Sequence, residues 1–146
     1  MRIVLDTNVL ARAHQFAHGP ARRVLLHIVA GPDVLIVSQY LLQELERILA
    51  YPRLMSRSAI TPFDISAYLE YRARASTLVD PMPVPEGVLR DPTDDPVLGT
   101  ALAGKADVLC TRDADFFAES VQRFSQARSI RILTDVELLR LFQIQP

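Results

Sequence analysis

The chain has 146 residues, of which 49% are hydrophobic, which suits one domain built around a single buried core. Its 16 basic and 17 acidic residues leave a net charge of −1, so no overall positive field indicates a nucleic-acid partner. The apolar stretches are far shorter than the roughly 20 residues that span a bilayer, which excludes an integral membrane protein. Because Cys110 is the single cysteine and no secretory leader is recognisable at Met1, we expect one cytoplasmic domain over residues 1–146.

The first part of the chain alternates short apolar runs with amphipathic segments. Continuous apolar runs predict strands that are buried on both faces. We expect Thr7 and Asn8 to cap the first helix and Ser38 to cap the third. The predicted elements are a strand at 2–6, a helix from 9 to about 16, a helix at 21–30, a strand at 34–37 and a helix that ends near 51.

The rest of the chain continues this alternation after a less apolar, helical segment. That segment covers residues 53–76, with an opening signal at Thr61-Pro62 or at Asp64. Prolines 81, 83 and 85 then predict an extended connector. The remaining predicted elements are a short strand at 77–80, a helix at 94–104, a strand at 107–111, a short helix at 113–120, a strand at 130–133 and a final helix opened by a capping box at 134–137.

Buried strands that alternate with helices predict an α/β sandwich, in which a parallel sheet is covered on both faces. In such sheets, ligands bind outside the carboxyl ends of the strands, where the strand order reverses. The residues that directly follow each predicted strand are therefore the first place to look for function.

Acidic residues occupy these positions. Asp6 ends the first predicted strand, and Asp113 comes two residues after Thr111 ends the strand at 107–111. Glu44 lies at the edge of the apolar stripe of its helix, where a charge is costly unless it is paired or coordinates an ion. A further acidic group opens the helix near residue 94, namely Asp91, Asp94 and Asp95.

Carboxylates that share one edge of a sheet raise one another's pKa or require a counter-charge. Oxygen ligands without histidine or cysteine favour Mg²⁺ or Mn²⁺ over zinc. Ions held in this way activate water in phosphodiester cleavage, so the expected substrate carries phosphate. Taken singly, Asp6 and Asp94 fit helix caps better than metal ligands, and the conjunction of the acids is what favours a metal site.

Four stretches of the chain carry motifs in an order known from one family. They are IVLDTNVL at 3–10, SQYLLQEL at 38–45, DPTDDPVL at 91–98 followed by ALAGKAD at 101–107, and TRDADF at 111–116. Together they resemble the PIN domain family, specifically the small prokaryotic VapC-like toxins of toxin–antitoxin modules.

The resemblance implies a five-stranded parallel sheet in a three-layer α/β/α sandwich and a Mg²⁺- or Mn²⁺-dependent ribonuclease. It also implies an RNA substrate, an antitoxin that lays a helix into a groove, and a homodimer. The implied acidic quartet is Asp6, Glu44, Asp95 and Asp113. Asp94 is the alternative third acid, with Asp95 slightly favoured by its spacing of three residues to Leu98. The supporting residues that it implies are Asn8 and Thr111 near the metal and Asp91 and Asp115 at the rim.

Cationic side chains near the expected site are candidates for binding RNA. Arg112 sits between Thr111 and Asp113, and Arg12 lies on the first helix. An ordinary solvated surface explains these cations at least as well. The further candidates on the first two helices are Arg22, Arg23, His14 and His18.

Two other functions compete with the nuclease. A haloacid-dehalogenase-like phosphatase would use Asp6 as nucleophile, but it requires a second aspartate where this chain has Asn8, and Lys105 precedes its strand instead of following one. A response-regulator receiver domain fails for the same reasons. A PIN-like interaction module whose acids no longer bind metal is the other alternative, and metal binding distinguishes it from a nuclease.

Overall fold

The structure, a computed structural model, describes residues 1–143. Its strands form one sheet in which every pair of neighbours is parallel, in the order β3-β2-β1-β4-β5. The strands are β1 (Arg2–Leu5), β2 (Val34–Val37), β3 (Thr77–Leu78), β4 (Val108–Cys110) and β5 (Arg131–Leu133). In the central register, Val4 lies opposite Ile36 on one side and Leu109 on the other.

Helices connect the strands and cover the sheet. They are α1 (Thr7–Ala11), α2 (Pro20–Ala30), α3 (Gln39–Leu49), α4 (Pro52–Ser58), α5 (Pro62–Arg74), α6 (Asp95–Ala103), α7 (Glu119–Gln126) and α8 (Asp135–Leu141). Two short 3₁₀ turns, Pro92–Asp94 and Ala114–Phe117, precede α6 and α7. No helix within residues 1–143 is long and apolar enough to cross a membrane.

Two hydrophobic cores lie on the two faces of the sheet, because successive strand residues point to opposite sides. Ile3 and Leu5 of β1 pack into a core with α1, α2, α3, α5 and α8. Val4 packs into the other core, chiefly with α6 and α7. This arrangement confirms the predicted three-layer α/β/α sandwich with five parallel strands.

Three predicted helix caps are present. The Ser38 hydroxyl accepts the Leu41 N–H at 3.3 Å and begins α3. Thr61 and Asp64 form a capping box that begins α5, so the opening signal lies at Thr61-Pro62. Thr134 and Glu137 form the predicted box at the start of α8.

Two predicted helices are wrong in extent. The helix predicted at 9–16 begins at Thr7 and ends at Ala11, with Asp6 in place of Thr7 or Asn8 at the position before its first turn. The helix predicted at 113–120 is a 3₁₀ turn followed by α7, because the extended backbone of Ala118 (φ −61°, ψ 148°) separates them. α7 was not predicted as a separate helix, although its buried Val121 and Ser125 lie one turn apart.

The strand order reverses between β1 and β4, and this brings two strand ends together. The chain leaves β1 for β2 on one side, then crosses from β3 at the sheet edge to β4 on the other side of β1. The Asp6 N–H donates to the Cys110 carbonyl at 2.9 Å, directly beyond the two strands. The residues after β1 and β4 therefore start from adjacent positions.

The crossing from β3 to β4 depends on a close approach at Gly99. The Met82 N–H donates to the Gly99 carbonyl at 3.0 Å, so the connector runs directly over α6. A Cβ at Gly99 would overlap the carbonyl oxygen of Met82, a backbone atom that cannot move without shifting the connector.

We expect Gly99→Ala to lower the free energy of unfolding by about 2 kcal/mol, because overpacking outweighs the better helix propensity of alanine. This corresponds to a fall in Tm of about 4–8 °C, measured by thermal unfolding. Gly19→Ala is the control, since no atom lies within 4 Å of a Cβ built there. A rise in Tm for Gly99→Ala would show that the connector is not held against α6.

Candidate active site

The Asp6 carboxylate lies at the carboxyl end of β1 and is 4% exposed. It makes no side-chain capping bond to α1, although its position before the helix permits one. Three side chains donate to it instead: Thr111 at 2.6 Å, Asn8 at 2.7 Å and Thr7 at 3.2 Å. The structure therefore replaces the helix-cap interpretation of Asp6 with a buried carboxylate held by three donors.

Thr111 and Asn8 tie the ends of β1 and β4 together around this carboxylate. The Thr111 hydroxyl donates to Asp6 and accepts the Asp113 N–H at 3.0 Å. The Asn8 amide donates to Asp6 and accepts the Arg112 N–H at 3.3 Å. Both side chains use donor and acceptor functions at once, which fixes the orientation of Asp6 and the path of residues 111–113.

Burial raises the pKa of Asp6, and the Asp113 charge raises it further, while the hydrogen bonds from Thr111 and Thr7 lower it in part. Asp94 shows the same pattern more strongly. Burial, together with the charges of Asp113, Asp91, Asp6 and Asp115, raises the pKa of Asp94 to about 6. The acids predicted from separate parts of the sequence thus act on one another in the fold.

A cavity of about 210 Å³ opens beside these acids. Asp6, Glu44 and Asp94 all line it, so the structure places three predicted acids around one space. Its other lining residues are Thr7, Tyr40, Arg47, Thr93 and Val97. A larger cavity of about 580 Å³ lies beyond the opposite end of β4 and β5, near Lys105 and Ile130. The charges, and not the cavity size, therefore locate the candidate site.

Glu44 is less buried than its place in the helix suggested. Its side chain is 24% exposed and forms an ion pair with Arg47, one turn along α3. The expectation of a costly buried charge is therefore corrected: Glu44 faces the cavity at the rim of the apolar stripe and is already partly neutralised.

The structure distinguishes Asp94 from Asp95. Asp94 lines the cavity, whereas Asp95 is not among its lining residues. Asp94 comes three residues before Val97, which also lines the cavity. Asp95 comes three residues before Leu98, which is fully buried in the core. The geometry thus favours Asp94 as the third acid, the reverse of the preference taken from spacing.

The other acids have defined partners around this cluster. Asp91 caps the 3₁₀ turn, accepting the N–H and hydroxyl of Thr93 at 2.9 and 2.8 Å, and these bonds lower its pKa. Asp113 is half-buried and accepts the Asp115 N–H at 2.9 Å. Asp115 forms an ion pair with Arg90 at 2.9 Å. These contacts stabilise the loops before α6 and α7, which carry Asp94 and Asp113.

Three residues near the site were missed in the sequence. The Tyr40 hydroxyl donates to the Thr93 carbonyl at 3.0 Å and connects α3 to the loop before α6. Arg47 faces the cavity beside Glu44, and its spacing of three residues on one helix was a usable signal. Asp135 is buried and pairs with Arg112 at 3.4 Å. The Asp135 pairing joins residues far apart in sequence, so no local pattern reveals it.

Some of the cationic candidates are exposed, and others are hydrogen-bonded within the fold. Arg112 is 42% exposed and forms an ion pair with Asp135. Arg12 is exposed at the end of α1. His14 is buried, and its Nδ1 accepts the Phe16 N–H at 3.2 Å, which corrects its assignment to a surface that grips RNA. Arg22 donates to the Ala13 carbonyl at 3.1 Å. Arg23 and His18 are exposed.

Whether this site suits a divalent ion depends on its donors. Within residues 1–143, no group of three His, Cys, Asp or Glu side chains already has the arrangement of a metal site. The donor chemistry nevertheless fits a hard cation, because the nearby groups are carboxylates, and burial together with their repulsion raises the pKa of Asp94. A cation at this position would relieve that repulsion.

Comparison with known proteins agrees with the fold. A family model described as PIN domain matches residues 2–115, which include every acid of the cluster. No curated protein matches the chain significantly.

The raised pKa of Asp94 predicts a stability effect with a definite sign. Its pKa rises from 3.8 in the unfolded chain to about 6 in the fold, so its contribution to stability is lost as the pH rises from about 4 to 6. We expect Asp94→Asn to raise the Tm by about 1–2 °C at pH 8 in EDTA, because the group is partly solvated and the gain stays below about 1 kcal/mol.

Asp95→Asn is the matched control for this measurement. Its carboxylate lies in the first turn of α6, where it interacts favourably with the helix dipole, so the variant should leave the Tm unchanged or lower it slightly. The gain from Asp94→Asn should also disappear at pH 3.5. Equal shifts for both variants, or a gain that persists in acid, would contradict the charge cluster.

Proposed function

The chain belongs to the PIN domain family, whose members are generally nucleases, and we propose that it is a metal-dependent endoribonuclease that hydrolyses RNA phosphodiester bonds. One observation carries the proposal: Asp6 and Asp94 lie near Asp113 at the carboxyl ends of β1 and β4, where burial and then the Asp113 charge raise the pKa of both carboxyl groups. This is the point of strand-order reversal, where parallel sheets bind ligands.

PIN domain nucleases generally use divalent metal ions, and the proposed ion is Mg²⁺ or Mn²⁺. Asp6 and Asp94, which line the cavity with Glu44, would hold it together with Asp113, which does not line the cavity but whose charge acts on both. A divalent ion bound there would supply a water of lowered pKa and offset charge on the phosphate oxygens.

The chain's own residues prepare this site. Thr111 and Asn8 hold the Asp6 carboxylate in one orientation by hydrogen bonds of 2.6 and 2.7 Å. Arg112, which directly precedes Asp113, is paired with the buried Asp135, and this ion pair restrains its guanidinium so that it has less conformational freedom to lose on binding. Arg47 keeps Glu44 from repelling the phosphate and presents a second cation at the cavity.

RNA is the proposed substrate because cations flank the acids without forming a broad basic surface. Arg47 lines the cavity with the carboxylates, Arg112 is the residue before Asp113, and Arg12 is exposed at the end of α1. A small number of phosphate contacts suits a single-stranded segment whose bases are splayed out and read individually.

The proposed biological role is that of a cytoplasmic toxin in a toxin–antitoxin module, neutralised by an antitoxin and assembled as a homodimer. It is supported by the motif resemblance and by exposed apolar side chains, among them Phe63 at 80% exposure on α5. The main alternative is a non-catalytic interaction module with the same fold. The network around Asp6 favours the enzyme, because an inactive module has no need of a buried, oriented carboxylate.

We expect the purified protein to cleave a structured RNA in Mg²⁺ or Mn²⁺ and not in EDTA, as followed by gel electrophoresis of end-labelled products. Asp6→Asn should lower the rate at least 100-fold, because it removes the most buried carboxylate of the cluster. Asp94→Asn should cause a comparable loss, whereas Asp95→Asn should keep most of the activity.

The same variants separate the enzyme from the interaction module. Mg²⁺ or Mn²⁺ should raise the Tm of the wild type, and this shift should be lost in Asp6→Asn and Asp94→Asn. A folded protein with neither cleavage nor a metal-dependent shift is the result that the interaction module predicts. Activity retained in Asp94→Asn but lost in Asp95→Asn would restore the spacing argument.

The toxin and homodimer proposals have their own tests. Induced expression of the wild type should arrest bacterial growth, and Asp6→Asn should not, as measured by optical density and colony counts. Light scattering should give a dimer for the wild type. Phe63→Ser should convert it to a monomer, because the substitution removes an exposed aromatic ring that would otherwise be buried between the two copies. Growth unaffected by the active nuclease would contradict the toxin role, and a monomeric wild type would contradict the dimer.

A further inference from the structure

A second cavity, of about 300 Å³, lies between α2 and α5 and shares no lining residue with the Asp6 cavity. Leu25, Leu26 and Val29 of α2 and Ala67 of α5 form its apolar wall. Two arginines, Arg22 and Arg72, enter the same space, and no carboxylate is among its lining residues. The cavity therefore combines apolar surface with positive charge only.

Arg72 is the unusual member of this cavity. It is 3% exposed, and its Nε and Nη1 atoms have no hydrogen-bond partner within the part of the chain that the structure describes. Its guanidinium lies over the rings of Tyr71 and Tyr68, with its central carbon 4.4 and 5.3 Å from the two ring centres. The two rings lie beside the guanidinium, while its Nε and Nη1 N–H groups remain without acceptors.

No described neighbour neutralises this charge. The ionisable groups acting on Arg72 are Tyr68, Tyr71 and Arg22, and the last of these is a like charge. Tyr68 cannot serve as an anion, because burial raises its pKa and its hydroxyl donates to the Leu10 carbonyl at 2.9 Å. Burial, and then Arg22, lower the pKa of Arg72. A buried cation without a partner destabilises a fold, so its presence needs an explanation.

We propose that this cavity is a binding site for a small carboxylic acid with an apolar body, whose carboxylate pairs with the guanidinium edge of Arg72. A planar carboxylate matches two parallel N–H donors, and Arg22 adds a second positive charge to the cavity. The alkyl or aryl body of the ligand packs against the wall formed by Leu25, Val29 and Ala67.

The size and polarity of the cavity narrow the ligand class. A volume of about 300 Å³ equals that of about ten liquid waters, which admits a ligand of about ten non-hydrogen atoms. Phosphate suits the site less well, because its greater charge is more costly to bury against apolar walls. An RNA backbone is also a poor fit, since interfaces with nucleic acid are wet and strongly polar.

Hexanoate and benzoate are suitable probes, with hexanamide and benzamide as uncharged matches of the same shape. We expect both acids to raise the Tm of the full chain in a saturable manner and to shift the Arg72 Nε–Hε resonance in ¹⁵N–¹H spectra. The amides and inorganic phosphate should do neither. Failure of both acids, or an equal response to the amides or to phosphate, would overturn the proposal.

Variants link the response to the cavity. Arg72→Met should weaken binding of the acids at least tenfold and leave the ligand-free Tm unchanged or higher, because it removes an unpaired buried charge of similar volume. A purely structural Arg72 predicts a lower Tm instead. Arg74→Met is the matched control, since this exposed arginine on the same helix is paired with Glu70, and it should bind the acids normally.

A second variant tests the cavity without removing the charge. Ala67→Leu places a larger side chain into the apolar wall and should abolish the response while Arg72 stays in place. Undiminished binding by Arg72→Met or by Ala67→Leu would show that the acids bind elsewhere. None of these residues lines the Asp6 cavity, so the result does not depend on the nuclease proposal.

Discussion

The burial of Asp6 at the end of β1 is the constraint around which the site is organised. A carboxylate at 4% exposure must be satisfied by donors, and the available ones are Thr111 beyond β4 and Thr7 and Asn8 beyond β1. Satisfying it therefore requires β1 and β4 to be neighbours in register, as the crossover from β3 to β4 makes them. Topology and side-chain chemistry specify the same arrangement.

The same cluster opposes the stability of the fold. Asp94 and Asp6 both have raised pKa values, partly because each lies near Asp113, so the ionised forms are less favourable in the folded chain than in water. Hydrogen bonds compensate Asp6, and the ion pair with Arg47 compensates Glu44. Asp94 has no such compensation among these contacts, which makes it the acid with most to gain from a bound cation.

The sequence was sufficient for the fold class, and three of the acids that it singled out, Asp6, Glu44 and Asp94, line one cavity in the fold. Short continuous apolar runs such as Val34–Val37 favour a strand covered on both faces, and capping residues such as Ser38 indicate where helices begin. The end of α1 at Ala11 was not predicted, since Ala13 and His14 beyond it are buried although they lie outside the helix. The pairing of Arg112 with Asp135 depends on two strands being neighbours, which local sequence does not encode.

Residue spacing along α6 did not predict which of Asp94 and Asp95 lines the cavity. Counting three residues back from a buried leucine finds the face of α6 that packs on the sheet, and Leu98 on that face is in the core. The site lies instead at the N-terminal end of α6. There, the preceding 3₁₀ turn of Pro92–Asp94 changes the angular step per residue. Asp94 and Val97 share the cavity because the turn before the helix, and not the helix alone, sets their direction. An acid's role at a strand end is thus decided by the junction that carries it, which only the folded chain defines.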